Sequence, residues 1–204
     1  RQSLYLILAE SAEYAGGDAS SRDVLDRATQ RIVDEFSEKP VETAQLLQAL
    51  GELHFYLGDY EAAVATLTPL LSYQLGNLPD EIVANGRYDM AQALVRLGRI
   101  DDAKVHLTKA QDYWQSDPIK WRARLIDSRL TEAQILRSSD PAAAVALLRK
   151  AATDHAAMHG NDNRLAGIFQ ANLGVSLQAI GDLKGAAAAL RNAQAIWVKI
   201  GLEE

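Results

Sequence analysis

The sequence predicts an all-α solenoid of about five helix hairpins, and three observations carry that prediction. The phrase LGDYEAA at 57–63 returns as LGRIDDA at 97–103 and IGDLKGA at 180–186, with spacings of 40 and 83 residues. A fixed period near 41 marks stacked supersecondary units, each too small to bury its own apolar face. Second, alanine and leucine abound while 204 residues include only thirteen glycines and five prolines, a balance that favours helix. Third, apolar residues in each copy recur at i, i+3, i+4 and i+7 and do not alternate, which is the stripe of an amphipathic helix.

The elements follow in chain order. A divergent N-terminal hairpin spans 1–39, with a first helix from Leu4 to about Tyr14, a turn at Gly16 or Gly17, and Val24, Leu25 and Ala28 on the inner stripe. After Lys39-Pro40, the 40–78 copy places Leu47, Leu50, Gly51 and His54 on its first helix. It turns at Gly58-Asp59 and continues with Tyr60, Ala63, Leu67 and Leu70. The 79–116 copy repeats the template with Met90, Ala91, Leu94, Gly98, Ile100, Ala103, Leu107 and Ala110. The 161–204 copy has Leu173, Gly174, Leu177, Gly181, Leu183, Ala186, Leu190 and Ala193. Small residues recur where two helices must approach closely. Glycine before each second helix supplies the positive φ of a C-cap. Asp59, Asp101 and Asp182 cap or charge the helix start that follows.

The 117–160 copy is the weakest match. Asp117-Pro118 and Asp140-Pro141 read as helix starts with a cap and a first-turn proline, and Ala144, Leu148 and Ala151 fit the second helix. Its first helix fits with Glu132 at the small-residue position, or with Ala133 there and one residue lost from the turn at Ser138-Ser139. Ala133 is preferred, because an unpaired buried carboxylate is costly. The joints at Lys39-Pro40, 76–79, 116–118 and 160–163 are short, so one domain over 1–204 is expected.

Composition narrows the function. A net charge of −6 argues against nucleic-acid binding, which relies on basic surface. No 18-residue apolar run exists to cross a membrane. The absence of cysteine removes disulfides and thiolate metal sites. The chain begins at Arg1, so it is read as a piece of a longer protein.

The repeated residues resemble a known family. Gly51, Gly58, Tyr60, Ala63 and Leu67 occupy signature positions of the tetratricopeptide repeat (TPR). The period of 40–42 is similar to the extended repeats of kinesin light chains and many bacterial regulators. The resemblance implies a right-handed superhelix whose first helices line a concave, peptide-binding groove. A second resemblance lies in SSRDVLDRATQRIVDEFSEKPVETAQLLQALGELHFYLGDYEAA. It looks like the opening of the C-terminal TPR region of bacterial eukaryotic-like serine/threonine kinases, with Val24-Leu25-Asp26-Arg27 and Pro40 at the matching motif. That implies a regulatory or sensing segment. It would lie in the cytoplasm if free-standing and outside it if tethered to a membrane kinase.

Mapped by register, the groove candidates in the 40–78 copy are Gln45, Gln48, Glu52, Phe55 and Tyr56. In the 79–116 copy they are Asn85, Tyr88, Asp89, Gln92 and Arg96, and in the 117–160 copy Leu130, Gln134 and Arg137. Asn172, Val175 and Gln178 follow in the last copy. Aromatic, amide and arginine side chains suit peptide recognition. The chaperone-type carboxylate clamp uses Lys and Asn where Gln48 and Glu52 stand here, which argues against chaperone tails as partners.

Other clusters point less sharply. His155 and His159 share a helix face with metal-compatible spacing, but HAAMH lacks a third ligand, so no cofactor or metal is expected. KWRARLIDSR at 120–129 reads as an exposed basic face with Trp121 packed onto a neighbour. Ile196, Trp197, Val198 and Ile200 place apolar groups on more than one face of the last helix. Three readings are open: a capping helix belongs to the longer protein, another chain, such as a second copy, covers that end, or Trp197 packs on its own hairpin. No catalytic set emerges, and a non-catalytic protein-interaction module is expected, with an enzyme whose site lies inside the superhelix as the rival reading.

Overall fold

The hairpins turn where the sequence places a glycine that takes a left-handed conformation. In the computed structural model, which describes residues 7–11, 20–35, 38–72 and 78–202, Gly58, Gly98 and Gly181 have φ of 77°, 72° and 83°. Each sits in the same pair of backbone bonds. Gly58 N–H donates to the Phe55 carbonyl at 3.1 Å and Asp59 N–H to the His54 carbonyl at 2.9 Å, with equivalents at Gly98-Arg99 and Gly181-Asp182. These bonds satisfy the last carbonyls of the helix before. After Gly58 and Gly181 the next helix is capped by carboxylate: Asp59 Oδ1 accepts from Ala62 N–H at 3.2 Å and Asp182 Oδ1 from Gly185 N–H at 2.8 Å. The expected turn at Gly16 or Gly17, and Gly76, lie outside the described residues, as does most of the expected first helix. Residues 7–11 of that helix are helical.

The chain divides into two compact units, Arg1–Tyr113 and Trp114–Glu204. The first contains α1 (Ser21–Glu35), α2 (Pro40–Tyr56), α3 (Tyr60–Leu71) and α4 (Asp80–Arg96). The division falls inside α5 (Ile100–Gln115), not at a linker. In the first unit α1 packs on α2, α2 on α3 and α3 on α4, and the two first helices α2 and α4 lie against each other. Its core gathers Leu25, Ala28, Ile32, Ala44, Leu47, Leu50 and Leu70. Burial of each large side chain contributes about 1.5–3 kcal/mol.

The second unit holds α6 (Arg122–Leu136), α7 (Pro141–His159), α8 (Arg164–Ala179) and α9 (Leu183–Lys199). Here α6 packs on α7, α7 on α8 and α8 on α9, with α6 also touching α8. Ile126, Leu130, Ala133, Leu148, Phe169, Leu173 and Leu177 anchor its core. Small residues allow the close approaches: a Cβ on Gly51 would stand 2.9 Å from Leu67 Cγ, and one on Gly174 would stand 2.7 Å from Leu190 Cγ.

The α6–α7 turn is built differently. It has no glycine, Arg137 keeps right-handed helical φ and ψ, and Asp140 N–H donates to the Leu136 carbonyl at 2.7 Å. Asp140 Oδ1 then caps α7 through Ala143 N–H at 2.9 Å. Ala133 is fully buried while Glu132 is half-buried, so Ala133 takes the small-residue position and the turn is one residue shorter.

Candidate functional site

Adjacent first helices bring residues one repeat apart into contact, because each occupies a similar place on the same face. In the first unit Gln48 Nε2 donates to Asp89 Oδ2 at 2.6 Å, joining α2 to α4. Beside this bond lies a cavity of about 70 Å³ lined by Gly51, Glu52, Phe55, Tyr56, Ala63, Leu67, Asp89 and Gln92. Five of these were expected on register: Glu52, Phe55, Tyr56, Asp89 and Gln92. Phe55 meets Tyr60 edge-on with centroids 5.3 Å apart, and the Arg96 guanidinium carbon lies 5.9 Å from the Phe55 centroid. Tyr56 is 65 % exposed, and Gln45, Glu52 and Arg96 are also exposed. Asn85 is half-buried. Tyr88 is only 8 % exposed, so it is buried and not presented on the groove surface. Gly51, Ala63 and Leu67 make the cavity floor and were not singled out as site residues. Gly51 and Ala63 were legible as the two small positions of the repeat.

The second unit ties its first helices together more completely. Gln134 Nε2 and Arg137 Nη2 each donate to Asn172 Oδ1 at 3.1 Å, and Arg137 Nε donates to Ser176 Oγ at 3.3 Å. Asn172 Nδ2 returns to the Ile168 carbonyl at 3.0 Å. Ser176 was missed; it stands in this face four residues after Asn172. Val175 and Gln178 are exposed, whereas Leu130, only 8 % exposed, belongs to the core.

The two histidines of the pair have different surroundings. His155 is buried, with Nε2 3.0 Å from Asn163 Oδ1, and its ring lies 5.0 Å from that of the exposed His159. Among the described residues no group of three histidine or carboxylate side chains could hold an ion. Asp127 Oδ1 stands 4.0 Å from His155 Nδ1, and burial pushes the Asp127 carboxyl above its ordinary pKa against the opposing pull of His155 and Arg124. In the basic stretch, the Lys120 ammonium lies 4.2 Å from the ring centroid of half-buried Trp121, a contact within the stretch itself.

At the far end of the second unit, Trp197 packs on its own hairpin. Its ring fills the space a Cβ on Gly167 would need, and its Nε1 donates to the Arg164 carbonyl at 3.4 Å. An open hollow of about 820 Å³ beside it is lined by Arg164, Ile168, Gln194, Trp197, Val198, Gly201 and Leu202. Among the described residues Arg164 is the titratable side chain in that lining.

Glycine-turned hairpins of about 41 residues, with small residues at the helix contacts, now stand beside a direct match. Residues 44–76 match the model of the tetratricopeptide repeat family. The fold is that of a TPR protein. TPR crystal structures align over nearly the whole chain. The nearly identical TPR-like repeats of a Podosopora anserina protein assigned as a kinesin light chain align with a TM-score of 0.67 and 16 % identity. That alignment covers 98 % of this chain and 97 % of the other. BtubC (BKLC) from P. vanneervenii aligns at a TM-score of 0.64 and 16 % identity, over 100 % and 91 % of the two chains. Comparison with curated proteins finds no match. Identity this low speaks for the TPR fold alone. That fold supports a protein–protein interaction module, and no catalytic family is indicated. Among the described residues no helix is long and apolar enough to cross a membrane.

Proposed function

We propose that this chain is a non-catalytic module that binds a peptide segment of a partner protein along its first helices. The observation that carries this reading is the α2–α4 face. There Gln48 and Asp89 hold two first helices in register beside exposed Tyr56 and a cavity sized for part of one side chain. Small-molecule sites enclose roughly 300–1,000 Å³. A 70 Å³ cavity suits an anchoring residue of an extended chain. Rigid helices present these groups with little entropy left to lose on binding.

The test is selection of peptides from a random library on the 204-residue chain, followed by affinity measurement with Tyr56→Ala and Gln92→Ala. Loss of about tenfold in affinity, with unchanged helical circular dichroism, is expected for a binding anchor. Undiminished affinity in both variants would remove this face as the binding surface.

We infer further that the module is the regulatory or sensing part of a larger signalling protein such as a serine/threonine kinase. The support is the Val24-Leu25-Asp26-Arg27 motif, which lies on α1 ahead of the Pro40 start of α2. The reading frame upstream of Arg1 tests this. A kinase domain there is the expected result, and a start codon immediately before Arg1 would make the chain a free-standing scaffold.

A further inference from the structure

We propose that the α2–α4 cavity receives the charged end of a basic side chain, lysine foremost, carried by the peptide that binds this face; this rests on the groove reading above. Four features of the lining converge on that class. Two carboxylates belong to it: Glu52, exposed on α2, and Asp89, half-buried on α4. The 2.6 Å bond from Gln48 orients the Asp89 carboxylate. The aromatic rings of Phe55 and Tyr56 form a second part of the wall, and ring faces attract cations. The molecule already shows this preference, since Arg96 sets its guanidinium carbon 5.9 Å from the Phe55 centroid without entering the cavity lining.

The third feature is the floor. Gly51, Ala63 and Leu67 offer apolar surface that suits the methylene stem behind an ammonium group. The fourth is size: about 70 Å³ accommodates a compact ammonium more readily than a planar guanidinium with its fork of donors. An acidic side chain would meet two like charges here. A purely apolar one would strip water from Glu52, Asp89 and Gln92 without replacing its hydrogen bonds.

The experiment is an NMR titration of the whole chain with N-acetyl-lysine N-methylamide, alongside the norleucine and glutamate analogues. The lysine probe is expected to shift the signals of Gly51, Phe55, Tyr56 and Gln92 saturably. Norleucine should bind at least about fivefold more weakly, the scale of one partly exposed ion pair. Glu52→Gln should lower lysine affinity by a similar factor, and so should Asp89→Asn, which keeps an acceptor for Gln48. Equal binding of norleucine, preference for glutamate, no response to lysine, or indifference to both substitutions would each overturn the proposal. Library peptides that bind this face without a basic residue at the cavity would overturn it while leaving the groove reading intact. Peptides that bind elsewhere would instead remove the groove reading.

Discussion

The two units each bury a histidine, and they surround it in opposite ways. In the first, His54 is fully buried at the end of α2, and neither ring nitrogen has a hydrogen-bond partner among the described residues. Its nearest acid, Asp26, stands 3.9 Å from Nε2. In the second, His155 is held at Nε2 by Asn163, and its ring lies 5.3 Å from that of Phe169. Asn163 uses its amide NH₂ on the carbonyls of Gly160 and His159 and its Oδ1 on Ala166 N–H, so His155 must donate from Nε2. Equal burial therefore carries different meanings. One imidazole stands where the related copies carry Leu94 and Leu177; the other belongs to the device that starts α8.

The largest effect should come from breaking that device. Asn163→Ala removes the α8 cap, the acceptor for His155 and two donors to the preceding turn. A loss of about 2–4 kcal/mol is expected, combining a lost cap with a stranded buried donor, and urea unfolding monitored by amide exchange in the second unit measures it. The opposite sign is expected for His54→Leu. It places the residue of the other copies in a fully buried apolar site, and a gain of about 1–2 kcal/mol should appear in the first unit. A loss there would mean that His54 has a polar role its surroundings do not reveal.

A smaller contrast should appear with pH. Burial, the dominant cause, lowers the His54 pKa below its ordinary 6.5 despite Asp26 and Asp59, and burial and Arg87 lower that of His106. The unfolded chain then binds protons that the folded one refuses, so the first unit loses stability as pH falls below about 6.5. Asp127 has the reverse linkage. Its raised pKa means the folded unit takes up a proton first, so acid stabilises the second unit from that pKa down to 3.8. Amide exchange at pH 7 and pH 5 should show the first unit loosening, and His54→Leu should reduce that response. Equal acid sensitivity in wild type and variant would break the comparison.

Much of this was readable in the residues. The period located the hairpins, positive-φ glycines located three of the turns, and the cost of burying Glu132 selected Ala133. The groove was partly legible, because residues one repeat apart on first helices, such as Gln48 and Asp89, must meet. The side of the stripe was harder to read. Gln48, Tyr88 and Leu130 all lie three residues before a small position, and the apolar two are buried while the glutamine stays half exposed. Register gives the position, but side-chain chemistry decides whether it becomes wall or surface. The Asn163 network was invisible for another reason: it depends on the backbone path after Gly160, where φ is 75° and ψ is −178°.

The Asp140 turn has a consequence beyond its own geometry. Losing one residue from a continuous helix would rotate everything after it by about 100°. Here the deletion is absorbed between helices, and Ala144, Leu148 and Ala151 remain buried. Joint length is therefore uncoupled from the pattern on the rods it connects. Such a joint is a tolerant spacer: it can lose a residue without rewriting the buried faces on either side.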